Sequence, residues 1–357
     1  MKKIILTGGG SAGHVTPNLA LVPYLRDAGY EVHYVGGKTG LERELVESAG
    51  LLFHPISTGK LRRGKFWRPQ NVTDMFKAVA GIGDSLKVIK RVGPDVIFSK
   101  GGFVGLPVAA AAWFKRVPLI LHESDLTSGL ANRMGIGFAK AVCVSFPETM
   151  ANLPARKAFL TGNPIRRELL EGNAALGREF CGFTVRKPTV LFTGGSQGAE
   201  KINTTLAAAL PKLLPSFNII HLCGRGKMDE GLKQPGYAVF EYINEEMRHV
   251  LNAADVIVSR AGSNSLNEFL ALRKPSLLIP LSRATRGDQI ENAKSFVRQG
   301  FSMMLEEGGL TPETLTESLT ELYRRRDEFS ANMAKSPLTN AAEEVMKVIK
   351  KINTKEV

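Results

Sequence analysis

The chain has 357 residues, of which 43% are apolar, and this is enough to bury the cores of two domains. The net charge of +13 is uneven: residues 1–165 carry 21 basic and 11 acidic side chains, a net of +10, and the remainder carries +3. No zinc-ligand spacing or aromatic RNA-binding signature accompanies this charge, so we expect no nucleic-acid partner and favour an anionic membrane surface. Three scattered cysteines indicate a reducing compartment, and from the apolar runs of this sequence we expect neither a signal peptide nor a membrane-spanning helix.

The first predicted elements are a strand, a glycine-rich loop and a helix. Residues 2–7 form a short apolar strand, and glycines dominate residues 8–13. Thr16 as N-cap and Pro17 at the first helical position predict a helix that ends near residue 27.

The glycine loop matches G-x-G-x-x-G, which alone is a weak indication of dinucleotide binding. The next predicted strand, residues 31–35, ends in Gly36-Gly37-Lys38 and lacks the acid that a dinucleotide site places there. We therefore discount NAD binding. His14, which follows the glycines, is a candidate general base, although a loop histidine is more often plain surface polarity.

Between residues 59 and 91 the chain is strongly basic, with nine basic and two acidic side chains interleaved with apolar ones. Two interpretations fit equally: a solvated helix with one core face, or a cationic, partly apolar surface for anionic lipid. In the second interpretation the lipid-contacting side chains are Arg62, Arg63, Lys65, Phe66, Trp67, Phe76 and Ile82.

Two further strands bring polar residues to one edge of the predicted parallel sheet. Residues 95–99 precede Lys100-Gly101-Gly102-Phe103, and residues 118–121 precede His122-Glu123-Ser124-Asp125. Ligands of such sheets bind at the carboxyl ends of the strands. The His–Glu pair is either a satisfied polar cluster or part of a site, and its coincidence with two glycine loops favours the site.

The pattern of a strand followed by a glycine-rich loop begins again in the second half of the chain. Gly162-Asn163-Pro164 has turn chemistry and indicates a hinge. A strand at residues 188–192 then leads to a second glycine loop, residues 194–199, which lacks the Gly-Lys-Ser/Thr of a P-loop but offers backbone donors to phosphate. We predict domains at residues 1–162 and 163–337, with a C-terminal helix, 338–353, that packs back on the first domain.

Residues 255–293 form a predicted strand–helix–strand–helix unit: strands at 256–258 and 276–280, and helices at 263–272 and from 288. Gly262, Ser263 and Asn264 lie where the first helix offers free N–H groups to a diphosphate. Glu268 is placed to accept from a ribose diol, and Asp288 and Gln289 to contact sugar hydroxyls. The alternative is an ordinary βαβ unit with polar loops. Beyond it, residues 311–333 and 339–352 are predicted amphipathic helices.

Seven motifs follow one another along the chain: Gly13-His14-Val15-x-Pro17, Gly101-Gly102-Phe103-Val104, His122-Glu123, Gly129-Leu130-x-Asn132, Gly162-Asn163-Pro164-Ile165-Arg166, Gly194-Gly195-Ser196-Gln197-Gly198-Ala199 and Arg260-x-Gly262…Glu268. In this order and spacing they resemble the MurG family of GT-B glycosyltransferases over essentially the whole chain. The resemblance implies an α/β fold of two Rossmann-like, doubly wound domains facing across a cleft. It also implies transfer of N-acetylglucosamine from UDP-GlcNAc to undecaprenyl-diphospho-muramoyl-pentapeptide, lipid I, at the cytoplasmic face of the cell membrane.

The same resemblance implies roles for individual residues. His14 and Glu123 are the catalytic candidates, with His14 preferred as the base. No metal or other cofactor is implied, in keeping with the absence of an Asp-x-Asp dipeptide. The implied donor residues are Arg166, Ser196, Gln197, Gly198, Ile243, Gly262, Ser263, Asn264, Glu268, Asp288 and Gln289, and the implied acceptor residues are Gly10, Ser11, Gly13, Gly102, Phe103, His122 and Asp125.

Four positions depart from the family pattern. Ser124-Asp125 replaces Gln-Asn, Phe103 replaces Tyr, and Asp288 replaces Gln. These departures touch acceptor and sugar contacts, so they leave the nucleotide assignment intact and the sugars open. Two alternatives therefore stand: a related enzyme that glycosylates another membrane lipid such as diacylglycerol, and a sugar-nucleotide-binding regulator without turnover.

Overall fold

The computed structural model describes residues 1–59, 69–195, 197–281 and 288–353. It divides into two compact units, which we call the first unit (Met1–Arg166 with Asn340–Val357) and the second unit (Arg167–Thr339). Each unit is built around its own sheet.

Strands and helices alternate along most of the chain. The strands are β1 (Lys2–Thr7), β2 (Tyr30–Gly37), β3 (Leu52–Ile56), β4 (Val96–Ser99), β5 (Leu119–Glu123), β6 (Ala141–Val144), β7 (Ala158–Leu160), β8 (Thr189–Thr193), β9 (Asn218–Leu222), β10 (Tyr237–Phe240), β11 (Val256–Ser259), β12 (Ser276–Leu278) and β13 (Ser302–Met304). The α-helices are α1 (Ala12–Asp27), α2 (Leu41–Ser48), α3 (Pro69–Val92), α4 (Gly102–Lys115), α5 (Leu130–Gly135), α6 (Pro147–Met150), α7 (Ala174–Phe180), α8 (Glu200–Leu213), α9 (Met247–Ala253), α10 (Ser263–Ala271), α11 (Asp288–Arg298), α12 (Pro312–Arg324), α13 (Arg326–Ala334) and α14 (Ala341–Asn353).

The first unit contains a parallel sheet whose order, within the described residues, is β3-β2-β1-β4-β5-β6-β7. Its central strands are apolar on both faces because helices cover both sides of the sheet. One face packs against α1 and α14, and the other against α3 and α4.

The C-terminal helix α14 completes the first of these faces. Val345 and Ile349 are fully buried in the same core as Ile4 and Leu6 of β1. The Asn353 amide also donates to the Tyr30 hydroxyl across 2.8 Å. The end of the chain therefore belongs to the core of the first unit.

The second unit repeats this arrangement with a parallel sheet of order β10-β9-β8-β11-β12-β13 among the described residues. Its largest core lies between this sheet and helices α8 and α12, around Phe192, Leu206 and Leu319. Both units are therefore doubly wound, Rossmann-like α/β domains, and this part of the sequence prediction is confirmed.

Two predicted helix boundaries are wrong. Helix α1 begins at Ala12, after an extended Ser11, so Thr16 is not its N-cap and Pro17 lies inside it. Val15 is buried in the core between α1 and the sheet of the first unit, and this burial outweighs the helix-start signal of Thr16 and Pro17. The predicted helix at residues 311–333 is two helices that break at Arg325, and the first is capped by Thr311 and Thr314 in a capping box.

Candidate active site

Each sheet reverses its strand order at one point, and a glycine loop lies beside each reversal. In the first unit the reversal falls between β1 and β4, so the loops at residues 8–11 and 100–103 flank it. In the second unit it falls between β8 and β11, flanked by residues 194–199 and 260–262. Ligands of open α/β sheets bind at such switch points.

The two loops of the first unit are in close contact. Gly102 has a φ of +73°, and a Cβ there would lie 2.7 Å from the carbonyl oxygen of Gly9. A Cβ on Gly10 would lie 2.3 Å from the ring of Phe103. The structure thus brings together Gly10, Gly102 and Phe103, three of the predicted acceptor residues.

His14 lies at the same place. Its Nδ1 is 3.0 Å from the Ser11 hydroxyl, and its Cε1 would be 3.7 Å from a Cβ on Gly102. The ring is half-buried in the first turn of α1, as is the neighbouring Gly13. The imidazole therefore lies where a ligand of this switch point would meet it.

Glu123, the second catalytic candidate, is buried at the end of β5 and organises the loop that follows. Its Oε2 accepts from Gly129 N at 3.0 Å and from the Asn132 amide at 2.9 Å, and its Oε1 accepts weakly from Asp125 N at 3.4 Å. Burial raises the pKa of Glu123 to about 7. Asn132 thus holds the Glu123 carboxylate, a contact that the motif did not predict. Asp125 is half-buried on the loop that follows β5.

His122 is fully buried, and both of its ring nitrogens have partners. Its Nε2 lies 2.8 Å from the carbonyl oxygen of Gly162, and its Nδ1 lies 2.7 Å from the Lys100 ammonium. Burial, assisted by the Lys100 charge, lowers the pKa of His122 well below its ordinary value. His122 therefore connects segments of the first unit and does not present a basic nitrogen to a ligand.

The second unit contains a pocket of about 830 Å³ at its switch point. The pocket combines the second glycine loop, the start of α8, the end of β11, the start of α10 and the 3-10 turn after β13. Gln197, Gly198, Gly262 and Gln289 are predicted donor residues that line it, and Glu200, Lys201, Thr204, Arg260, Ser265 and Glu307 are lining residues without a predicted role.

The glycine loop of this pocket is locked in place by the loop after β9. Gly198 and Gly224 both have positive φ, and a Cβ on Gly224 would lie 2.5 Å from Gly198 N. Behind them the Asn203 amide donates to the carbonyl oxygen of Cys223 at 2.8 Å. This packing fixes the position of Gly198 beside the pocket, and Gly198 N itself donates to the carbonyl oxygen of Gly195 at 2.9 Å.

Arg260 places a cation on the pocket wall. It forms an ion pair with Glu307 and donates to the carbonyl oxygen of Ile279 at 3.0 Å, and its side chain is 12% exposed. Gln289 accepts from Leu281 N at 3.0 Å through its Oε1. These contacts hold a guanidinium and a carboxamide at the lining of one cavity.

The remaining predicted donor residues are not among the described residues that line this pocket. Ser263, Asn264 and Glu268 lie on α10 and Asp288 begins α11, outside the pocket lining that the described residues form, and Ile243 is 4% exposed after β10. Arg166 ends the first unit. Ser196 lies outside the described residues. No three His, Cys, Asp or Glu side chains converge as a metal site in the described part of the chain.

The predicted membrane residues are only partly described. Arg62, Arg63, Lys65, Phe66 and Trp67 lie outside the described residues. On α3, Phe76 is 69% exposed, whereas Ile82 packs, half-buried, against the core of the first unit. Within the described ranges, no helix is both long enough and apolar enough to cross a membrane.

Comparisons with known proteins agree with this geometry. Residues 4–144 match the model of the glycosyltransferase family 28 N-terminal domain, and residues 189–351 match that of the family 28 C-terminal domain. Together these matches span most of both units.

Two relatives and one solved structure are similar over nearly the whole chain. The UDP-N-acetylglucosamine–N-acetylmuramyl-(pentapeptide) pyrophosphoryl-undecaprenol N-acetylglucosamine transferases of Lachnospira eligens and Clostridium botulinum strain Langeland are 49% and 50% identical, and each alignment covers 98% of this chain and 99% of the relative. The crystal structure of Acinetobacter baumannii MurG superimposes with a TM-score of 0.79 at 26% identity, covering 98% of this chain and 100% of that one.

Proposed function

The chain belongs to glycosyltransferase family 28, and on that premise we propose that it transfers N-acetylglucosamine from UDP-GlcNAc to undecaprenyl-diphospho-MurNAc-pentapeptide. The product is lipid II, a precursor of peptidoglycan. The acceptor atom in this proposal is the 4-hydroxyl of the muramoyl sugar, and the anomeric configuration inverts in a single displacement.

The observation that carries the proposal is the pocket at the switch point of the second unit. Its volume of about 830 Å³ suits a nucleotide sugar, since small-molecule pockets span roughly 300–1,000 Å³. A glycine loop, the N-terminus of α10 and the Arg260 guanidinium share its lining. Backbone N–H groups, a helix N-terminus and an arginine are the donors that a diphosphate requires.

The same groups can stabilise UDP as the leaving group of the reaction. As the anomeric carbon is attacked, negative charge grows on the diphosphate of UDP. Fixed donors aimed at that charge lower the barrier because they need no reorganisation during the reaction. In this proposal the Gly198 loop and Arg260 stabilise the leaving diphosphate, and Glu268 accepts from the ribose diol.

The acceptor side of the proposal is the switch point of the first unit. His14 accepts the proton of the muramoyl hydroxyl while the loops around Gly10 and Gly102 bind the acceptor diphosphate. Support comes from the close contact of these loops and from the half-buried imidazole between them.

We also propose that the first unit binds the anionic cytoplasmic face of the membrane, where a polyprenyl acceptor resides. On α3, Met75, Phe76 and Val79 are 51%, 69% and 62% exposed and share one helix face. Helix α4, which covers the same side of the sheet, exposes Trp113 and Phe114. Apolar side chains beside basic ones are the combination that peripheral binding uses.

A donor and acceptor screen tests the transferase. Purified protein is supplied with UDP-GlcNAc, UDP-glucose or UDP-galactose, with and without a short-chain lipid I analogue, and UDP release is measured. We expect release only with UDP-GlcNAc and the analogue together. Release with diacylglycerol as acceptor would favour the other membrane lipid, and UDP-GlcNAc binding without release for any acceptor would favour a regulator.

A further inference from the structure

Lys100 is a buried lysine beneath the acceptor side of the first unit. It follows β4 directly and is 1% exposed. Its ammonium nitrogen lies 2.7 Å from His122 Nδ1, 2.5 Å from the Ser124 hydroxyl and 2.7 Å from Asn163 Oδ1. An ammonium has three donors and no acceptor, so these three acceptors saturate it.

The geometry fixes the tautomer of His122. The carbonyl oxygen of Gly162 can only accept, so the Nε2 that lies 2.8 Å from it carries the proton. Nδ1 is then an acceptor, and the proton between it and Lys100 belongs to the ammonium. A charged Lys100 and a neutral His122 thus satisfy each other.

Lys100 connects segments that are far apart in sequence. Its backbone N donates to the carbonyl oxygen of Thr7 at 2.8 Å, and a Cβ on Gly8 would meet its Cβ at 3.0 Å. Its side chain reaches the end of β5 and the segment after β7, at separations of 22 to 63 residues. Lys100 therefore links, through its backbone and side chain together, the first glycine loop, the His122–Glu123 strand end and Asn163.

We propose that Lys100, as an ammonium, is a positioning residue for the acceptor side of the transfer. It holds the Ser124 hydroxyl and the end of β5 against Asn163, and so fixes the loop that Glu123 clamps. The inference rests on the proposed function, because these loops are an acceptor side only if the chain glycosylates an acceptor.

Ionisable groups surround this ammonium on several elements. His122 contacts it from β5, Glu123 and Asp125 act on it from the end of the same strand, and Cys143 acts on it from β6. Burial lowers the pKa of Lys100 to about 7, although the nearby carboxylates oppose the shift. A neutral amine has two donors and a lone pair, so above this pH the Ser124 hydroxyl must turn to donate to that lone pair and no longer accepts from Lys100.

Steady-state kinetics with UDP-GlcNAc and a short-chain lipid I analogue test the proposal. For Lys100→Met we expect kcat/KM for the acceptor to fall on the order of 10–10²-fold, because small displacements at a reaction site have such effects. UDP binding by calorimetry should be unchanged. Lys274→Met is the matched control, since Lys274 is a mostly buried lysine of the second unit that donates to the carbonyl oxygens of Asn252 and Ala254. It should lower Tm and leave the acceptor KM unaltered.

The pH profile separates positioning from a purely structural role. In wild type we expect kcat/KM for the acceptor to decrease as the pH rises, which gives the pH profile an alkaline limb. In Lys100→Met this alkaline limb should disappear, because the variant has no ammonium to titrate. Asn163→Asp places a carboxylate beside the ammonium, which raises its pKa by about one unit or more, so the limb should move to higher pH. This second variant retains Lys100 and tests the idea even if Lys100→Met fails to fold.

Two results would overturn the inference: an unmoved alkaline limb in Asn163→Asp, or a Lys100→Met profile that matches that of wild type. Failure of the proposed function is recognised separately, because wild-type protein would then release no UDP with this donor and acceptor.

Discussion

Two histidines of the first unit lie at the same sheet edge but carry different hydrogen bonds. Both ring nitrogens of His122 are committed, one to Gly162 and one to Lys100. His14 has its Nδ1 beside the Ser11 hydroxyl. Because both ring nitrogens of His122 are held in this way, His122 is not a candidate base, and we keep that role for His14 as part of the proposed function.

We predict that His14→Ala lowers kcat by ~10²–10⁴-fold, the usual contribution of a positioned general base. UDP-GlcNAc affinity, measured by calorimetry, should change little because His14 lies in the first unit and the donor pocket in the second. Near wild-type turnover in His14→Ala, combined with an inactive Glu123→Ala, would exchange the two roles.

At the scale of elements, the donor pocket depends on contact between two loops. The loop after β8 and the loop after β9 meet at Gly198 and Gly224, where neither backbone leaves space for a side chain. The position of Gly198 N therefore depends on what occupies position 224.

Gly224→Ala should weaken UDP binding as well as stability. Its φ of +95° costs an alanine ~1–3 kcal/mol, and the new Cβ would push on Gly198 N at 2.5 Å. Gly226→Ala is the matched control: its φ is also positive, at +69°, but nothing lies within 4 Å of a Cβ there. We expect both variants to lose stability by thermal unfolding and only Gly224→Ala to lose UDP affinity by calorimetry. Equal affinities would show that the contact does not hold the phosphate loop.

Elements with continuous apolar sequence were predictable, because burial on both faces of a parallel sheet requires such sequence. The prediction for β1 has the observed bounds, and that for β11 differs by one residue. Strand β9 was missed because Asn218 and His221 interrupt it. His221 is buried only because the Tyr237 hydroxyl and Asn203 satisfy its ring at 2.7 and 3.0 Å, and these partners are set by tertiary structure.

The residues of the candidate site also fall into two groups: those that the local sequence predicts and those that only tertiary contacts identify. Glycine loops, the His122–Glu123 pair and the N-terminus of α10 are local features, so sequence was enough to place them. The role of Lys100 becomes visible only through its hydrogen-bond acceptors, which lie up to 63 residues away in sequence. That of Glu307 becomes visible only through its ion pair with Arg260, which lies 47 residues away. No local pattern encodes either contact.

At the scale of the whole molecule, the two units share one structural arrangement. Each places a glycine loop beside the reversal of a parallel sheet, and each adds a second loop that packs against the first. The units differ in formal charge: Met1–Arg166 with Asn340–Val357 carry 26 basic and 14 acidic side chains, a net of +12, and Arg167–Thr339 carry 21 and 20, a net of +1. An anionic surface should therefore attract the first unit more strongly.

The last prediction is that α3 is part of the membrane-binding surface. Complete burial of a large apolar side chain contributes ~1.5–3 kcal/mol, and each nearby basic residue contributes about 1 kcal/mol. Replacing Met75, Phe76 and Val79 together with serine should therefore reduce sedimentation with anionic vesicles at least about tenfold, even if insertion is shallow. Binding by wild type should also fall with added salt and nearly vanish on neutral vesicles, because the basic contribution is screened.

Val185→Ser provides the control for this triple variant, since Val185 is 59% exposed but lies in the second unit. It should bind vesicles like wild type, and turnover of a short-chain acceptor should persist in all variants because that acceptor does not require a bilayer. If the triple variant sediments as well as wild type, the exposed face of α3 is solvated surface, and the residues that hold the first unit at the membrane lie elsewhere.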